Sequence, residues 1–472
     1  MAVALLALSC GDDDDSDSQV TVTLQSQSIK EGAEVDAAST TEITLTYNVP
    51  VRVAHAANIT LNGKKIEGTS RSSDMMSITV PVTLAEGISY TLLVPSGSVL
   101  ANSDGRVSAP SFTLNFKTRE GQLDQKGQIS MTPLTTNAAA VKLYKYFYKQ
   151  YGEKVISSVM ANVNWNNDCA KKVHALTGKY PAMNCYDFIH IYVPKNNWID
   201  YTNISPVKEW ADAGGIVQLM WHFNVPKSAT TTLGADGSGV TCTPSETTFK
   251  AANALKDGTW ENMWFYQQMD KVVAVMLQLK QAGIAATWRP FHEAAGNATA
   301  KQQADWTKSW FWWGYDGAEV YKRLWTTMYD YFQQKGVDNL IWIWTTQNFN
   351  GNSAQYRQDT DWYPGDAYVD IVARDLYGCN AAQNAQEFRE IQAAYPNKMV
   401  VLGECGYGTV NKTRKEQGNI GDCWTAGAKW SHFMVWYQGS QGSTDTMCSD
   451  DWWKSAMSNA NVITRDQLPA LK

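Results

Sequence analysis

The chain has 472 residues, too many for one ordinary domain and enough for a barrel plus a small module. Forty Lys and Arg against 46 Asp and Glu leave a formal charge of −6, which gives no ground for a nucleic-acid partner. Twenty tryptophans and 22 tyrosines are the anomaly. Indole stacks on the apolar faces of sugar rings, so an aromatic-lined cleft is expected.

In chain order, Met1 to Cys10 is an apolar run too short to span a bilayer. It closes on Leu8-Ser9-Cys10, followed by Gly11 and four aspartates. This resembles a bacterial lipoprotein signal, in which Cys10 becomes the lipid-bearing N-terminus. The acidic run resembles the surface-export tag of Bacteroides-type lipoproteins. Residues 1–18 are therefore expected to be signal and acidic linker. The protein is expected to be exported and anchored to the outer membrane by lipid, at the cell surface or on the periplasmic face.

Residues 19–118 have an all-β texture. Val20–Leu24, Ile43–Tyr47, Ser77–Val82 and Ser111–Phe116 alternate apolar and polar residues, and Asn62-Gly63 and Asp104-Gly105 mark turns between strands. This rhythm predicts a small β-sandwich. It resembles the immunoglobulin-like modules that precede enzymes in bacterial surface proteins. The segment contains no tryptophan, which favours a spacer over a sugar-binding module.

After a linker at 119–127 the rhythm changes. Residues 128–472 carry eight apolar runs that read as buried strands: Val155–Met160, Phe188–Tyr192, Gly215–Trp221, Ile284–Phe291, Leu340–Thr345, Val369–Arg374, Met399–Glu404 and His432–Trp436. Helical patterns lie between them. Over Trp260–Ala282, one stripe holds Trp264, Met269, Val272, Val273, Met276 and Leu279, and Ala318–Gln334 is a second helix. Alternating strands and helices predict a closed (β/α)8 TIM barrel, an α/β fold. No glycine-rich phosphate or dinucleotide motif is present, and no cofactor is expected.

Two glutamates end the fourth and seventh of these strands. Glu293 lies in Trp288-Arg289-Pro290-Phe291-His292-Glu293, and Glu404 in Leu402-Gly403-Glu404-Cys405-Gly406. In a closed barrel, strand ends four and seven face each other across the mouth. A carboxyl pair there is what cleavage of a glycosidic bond requires.

Arg289-Pro290-Phe291-His292-Glu293 followed by Trp310-Phe311-Trp312-Trp313-Gly314 resembles glycoside hydrolase family 26, best known for β-mannanases. Trp221-His222-Phe223-Asn224 and Asp375-Leu376-Tyr377 extend the resemblance to other strand ends. It implies a retaining endo-β-1,4-mannanase acting on mannan, glucomannan or galactomannan, with Glu293 as acid/base and Glu404 as nucleophile. Within the family, β-1,3-xylan and mixed-linkage β-glucan are the alternative substrates. It further implies that His222 and His292 meet the sugar and that Trp310 and Trp313 line the cleft. Tyr377 would donate to Glu404 and keep it ionised, Asp375 would pair with Arg289, and Trp436 would floor the reacting site. Trp344 and Trp165 are added as more distant sugar contacts. Ala294–Ser309 is longer than the family's usual spacing and is expected to reshape the aglycone side.

A non-catalytic surface glycan-binding lipoprotein would share the tryptophans and the signal, but would not need both glutamates. A metal hydrolase would need ligand spacings that are absent: there is no H-x-H or H-E-x-x-H, and the fourth residue after His292 is Gly296. No metal is expected. Of eight cysteines, Cys169 with Cys185 and Cys423 with Cys448 are the plausible bridges in an exported protein, and Cys405 is a small buried residue beside the site. A monomer is expected.

Overall fold

The computed structural model describes residues 20–37, 40–54, 57–84, 88–118, 128–193, 199–234, 236–296, 309–347, 359–410, 412–437 and 447–472. Cys10, the acidic run, the 119–127 linker and most of the Ala294–Ser309 segment lie outside them. The chain forms two compact units, Met1–Glu120 and Gly121–Lys472. Among the described residues no helix is long and apolar enough to cross a membrane.

The first unit is strand-rich and largely antiparallel. Glu42–Tyr47 pairs with Leu24–Gln27 and Ser77–Pro81 in one sheet, and Ser89–Val94 pairs with Phe112–Thr118 and Thr60–Leu61 in another. Alternation turns Ile43, Leu45, Ile78, Val80, Leu92 and Leu114 into one buried core. The first strand begins at Leu24, where the Val20–Leu24 pattern ends. Asn62 (φ 50°) and Gly63 (φ 79°) form the two-residue turn that Asn-Gly favours, because its twist matches that of the flanking strands.

The second unit is a closed parallel barrel. Its strands are β1 (Val155–Met160), β2 (Met183–Asp187), β3 (Ile216–Trp221), β4 (Ala286–Pro290), β5 (Leu340–Thr346), β6 (Ile371–Tyr377), β7 (Met399–Gly406) and β8 (His432–Val435). They pair in sequence order, and β8 and β2 both flank β1, which closes the ring. Helix α1 (Ala138–Gln150) precedes β1. Around the ring follow α2 (Asp168–Thr177), α3 (Ser205–Asp212), α4 (Trp260–Gln281), α5 (Ala318–Gln334), α6 (Ala381–Ala394), α7 (Ile420–Thr425) and α8 (Asp450–Ser458). Several starts carry side-chain caps on otherwise unpaired N–H groups: Asn137 for α1, Thr259 for α4, Asn380 with Gln383 for α6 and Ser449 for α8. On α4, Met269, Val272, Val273, Met276 and Leu279 are buried against the sheet.

Seven of the eight strands overlap their sequence-predicted runs. The exception is β2. Phe188-Ile189-His190-Ile191-Tyr192 alternates like a strand but forms a turn, and the strand is the preceding Met183-Asn184-Cys185-Tyr186-Asp187. Its polar residues hid it. Asn184 is buried because its amide donates to Asn166 O and Asn167 Oδ1, so it reads as loop while packing as core.

Two apolar clusters divide the barrel. The larger fills the space between strands and helices. A smaller one, Met160, Cys185, Met220 and Met434, comes from β1, β2, β3 and β8 and lines the axis. Cys185 therefore faces inward while Cys169 sits on α2 outside the sheet, which keeps their sulfurs apart. Neither this bridge nor Cys423–Cys448 is formed; all seven described cysteines are thiols.

Candidate active site

Glu404 reaches the barrel interior through a bulge. Arg374 of β6 pairs with Leu402 and the next residue, Asp375, with Glu404, so Gly403 is an extra residue in β7. Leu402 stands beside Phe433, which packs on Trp452 of α8 in the outer layer. Strict alternation would then point residue 403 inward and 404 outward. The inserted residue reverses that parity and turns the carboxylate toward the axis. The residue at the bulge must be glycine. A Cβ there would lie 2.6 Å from Asp375 Oδ1 and 3.0 Å from the Ala373 side chain.

Glu293 arrives by a different device. Beyond β4 the chain makes a tight turn in which Phe291 (φ 45°) and Glu293 (φ 52°) take left-handed backbone conformations. Such residues each cost about 1–3 kcal/mol and persist only when their surroundings hold them. Here the turn's carbonyls are held by side-chain donors: Tyr321 Oη donates to Phe291 O (3.2 Å), Trp313 Nε1 to His292 O (2.9 Å) and Ser309 Oγ to Ala294 O (2.9 Å). The Phe291 ring is packed among Phe223, Phe265, Trp312 and Trp313. Gly314 permits this closeness, since a Cβ there would meet Ala294 O at 2.0 Å.

The two devices bring three carboxyls together. One oxygen from each of Glu293, Asp375 and Glu404 lies within 4.8 Å of the other two. Arg289, fully buried, supplies the positive charge between two of them. Its Nη1 donates to Asp375 Oδ2 (3.0 Å) and Thr345 Oγ1 (3.1 Å), and its Nη2 to Glu404 Oε1. The other Glu404 oxygen accepts the Tyr377 hydroxyl at 2.5 Å. Burial pushes that hydroxyl well above its ordinary range, so it stays a donor. Among the described residues these three carboxyls are the one cluster with metal-like spacing, and the Arg289 guanidinium already sits in it.

Two of the three carboxyls titrate above the usual range. Burial raises the Glu293 carboxyl well above the usual range, and the charges of Asp375 and Glu404 push the same way, with Arg289 opposing. Glu293 and Asp375 lie side by side, an oxygen of each within 4.8 Å of the other. Burial raises Asp375 too, to about 7, but the Arg289 guanidinium at 3.0 Å opposes this, so Glu293 is the stronger proton holder of the two. The site thus holds a raised Glu293 carboxyl facing Glu404, whose two oxygens accept from Arg289 and Tyr377.

Above this group, His222 and His292 touch through their Nε2 atoms (3.1 Å). His222 lies between the rings of Phe311 (5.8 Å) and Trp436 (5.7 Å). Trp436 is half-buried and Trp310 is 36 % exposed, which leaves both indoles surface to offer a ligand. Three other tryptophans are corrected. Trp344 is 1 % exposed and packs on Tyr363 and Tyr395 in the outer layer, because it shares the face of Trp342, not that of Thr345. Trp165 packs among Tyr186, Phe188 and Tyr201, with its N–H on Asn203 O. Trp313 is fully buried and holds the Glu293 turn. Arg289, too, is enclosed and acts through the carboxylates. The abundance of tryptophan thus serves mainly the core: Trp210, Trp221, Trp288, Trp325, Trp342, Trp430 and Trp453 are also fully buried.

Sequence reasoning missed Asp187 and Tyr437. Asp187 ends β2 with both oxygens on His222, and it was lost with the misplaced strand. Tyr437 is half-buried beside Trp436 (5.3 Å), one residue past the predicted end of β8.

The model of glycosyl hydrolase family 26 matches residues 132–466. A mannan endo-1,4-beta-mannosidase of Thermothelomyces thermophilus is 27 % identical over 395 residues, 80 % of this chain and 72 % of that one. Mannan endo-1,4-beta-mannosidase B of Piromyces sp is 26 % identical over 383 residues, 79 % of this chain but only 59 % of its own length. Among solved structures, the family 26 domain of an endo-beta-mannanase/endo-beta-glucanase from Prevotella bryantii is 56 % identical. The match covers 72 % of this chain and 99 % of that domain, with a TM-score of 0.68.

Proposed function

This chain belongs to glycosyl hydrolase family 26 and is a glycoside hydrolase, and on that premise we propose that it is a retaining endo-β-1,4-mannanase with Glu293 as acid/base and Glu404 as nucleophile. The observation that carries the mechanism is the carboxyl separation. Oxygens of the two glutamates lie within 4.8 Å. That is near the ~5–5.5 Å of retaining enzymes and short of the ~6.5–9.5 Å that inverting enzymes leave for a water.

In the first step Glu404 attacks the anomeric carbon while Glu293 gives its proton to the departing glycosidic oxygen. Glu293 is then an anion and takes a proton from the incoming water, which releases the sugar from Glu404. The arrangement suits both roles. Burial beside carboxylates raises Glu293 and favours its acid form, and Arg289 and Tyr377 donate to the two Glu404 oxygens and orient them. Trp436 and Trp310 are the indole surfaces for sugar. Mannan is favoured as substrate by the names of the relatives.

The test is reducing-sugar release from β-mannans, β-1,3-xylan and mixed-linkage β-glucan, with product sizes followed over time. Mannan should be cut first into long products. Glu293→Ala and Glu404→Ala should both abolish this, with Glu293→Ala partly rescued on substrates bearing good leaving groups. Near-normal polysaccharide turnover by either variant overturns the assignment. We further propose, from Leu8-Ser9-Cys10 and the acidic run, that Cys10 carries a lipid anchor; metabolic labelling with a fatty acid, lost in Cys10→Ala, tests it.

A further inference from the structure

Asp187 belongs to no carboxyl pair and takes no part in the two displacement steps, yet its side chain is completely buried at the mouth of the barrel. Both of its oxygens serve one residue. Oδ1 accepts the His222 backbone N–H (2.9 Å), and Oδ2 lies 2.5 Å from His222 Nδ1. His222 Nε2 in turn meets His292 Nε2 at 3.1 Å. His292 Nδ1 is buried and has no hydrogen-bond partner among the described residues. We propose that Asp187 is a positioning residue: through His222 it fixes the tautomers of both histidines, and so the hydrogen-bond polarity that this edge of the cleft presents to a sugar hydroxyl. The role of the edge as a sugar contact rests on the glycosidase reading above.

The proton arrangement follows from the donors and acceptors available. A carboxylate only accepts, so His222 Nδ1 carries a hydrogen. With that hydrogen on Nδ1, the Nε2 of His222 accepts, and His292 donates to it from its own Nε2. The remaining nitrogen, His292 Nδ1, is left as an unpaired acceptor. That is the less costly orphan, since buried N–H groups without partners are rare. His292 is held neutral by burial, by His222 and by Arg289, which all lower its basicity. The one lone pair of His222 Nε2 is then shared with the His292 N–H, so a hydroxyl that reaches this edge meets an acceptor side and no N–H donor.

Asparagine at 187 reverses the chain. Its oxygen would keep the His222 backbone N–H, and its amide NH2 would face Nδ1, which must then accept. The hydrogen moves to His222 Nε2, His292 Nε2 becomes the acceptor, and the His292 hydrogen is forced onto buried, unpartnered Nδ1. The volume hardly changes while every polarity along the chain inverts. The same exchange disables other carboxylate–histidine pairs by selecting the wrong tautomer.

The experiment is nitrogen NMR of full-length protein labelled with 15N-histidine, assigned with His222→Gln and His292→Gln. In the unmutated protein, His222 should show a protonated Nδ1 and a lone-pair Nε2, and His292 a protonated Nε2. Asp187→Asn should exchange these signatures, and kcat/KM on β-1,4-mannan should fall by roughly tenfold or more. Unmutated protein with hydrogen on His222 Nε2 overturns the proposal without any variant, so poor folding of Asp187→Asn does not shield it. Exchanged signatures with undiminished kcat/KM overturn it as well. Unmutated protein that shows the expected nitrogen pattern but does not cleave mannan would sink the mannanase reading and leave the tautomer assignment standing.

Discussion

The ends of β4 and β7 deliver the same functional group to the same point by opposite means. Glu293 sits past its strand, on a turn with two left-handed residues held by donors from Trp313, Tyr321 and Ser309. Glu404 sits within its strand, turned inward by one extra residue. Their surroundings differ to match. Glu404 receives donors on both oxygens, whereas Glu293 is half-buried beside the Asp375 and Glu404 carboxyls. Position and protonation are thus set together. The strand-held residue is bound by a fixed guanidinium and a phenol, and the turn-held residue keeps a raised carboxyl among carboxylates.

The sharpest way to break this contrast is Gly403→Ala. The added Cβ needs space held by Asp375 Oδ1, so the bulge and the Arg289–Asp375 pair must shift. Displacement of reacting groups by about 1 Å costs on the order of 100-fold. A loss of that size in kcat is expected, with the folded state less stable by ~1–3 kcal/mol. Steady-state kinetics and a denaturant titration measure both. Full activity would mean that the bulge does not aim the nucleophile.

At the other strand end, Trp313→Phe removes the indole N–H from His292 O and leaves the packing nearly intact. An unsatisfied buried carbonyl costs ~1–3 kcal/mol. We expect a fall in kcat of roughly tenfold with KM little changed, because the loosened turn carries the acid/base and not the sugar platform. A rise in KM alone would return Trp313 to the cleft wall.

The smallest effect is in pH dependence. Glu293 is raised above its unfolded value, so between the two the folded state holds a proton that the unfolded state has released. Stability from this group is therefore complete below about pH 4.5 and declines as pH rises toward the folded value. Glu293→Gln abolishes that decline. Its melting temperature relative to the unmutated protein should climb as pH rises from about 5 to 8. A pH-independent difference would show that the carboxyl is not held protonated by the fold.

Much of the molecule was legible before any coordinates. Local periodicity sufficed for seven strands, for α4 and for α5, because each must bury an apolar face against the next layer. Glu293 and Glu404 could be singled out because they end apolar runs, and the resemblance to the family added His222, His292, Asp375 and Tyr377. The structure brings all six to the barrel mouth with Arg289 and Trp436.

The sequence by itself determined an ordered set of strands and helices and the chemistry available at the strand ends, since both depend on neighbours along the chain. The tertiary structure decided which way side chains face. Trp344 points away from the cleft while Thr345 beside it meets Arg289, Gly403 reverses the parity of β7, and Cys185 is kept from Cys169 by the sheet between them. It also decided that most tryptophans fill the core and that Asn184 and Asp187 belong to a strand. Those outcomes turn on contacts between residues far apart in the chain, and a pattern read along one strand does not contain them.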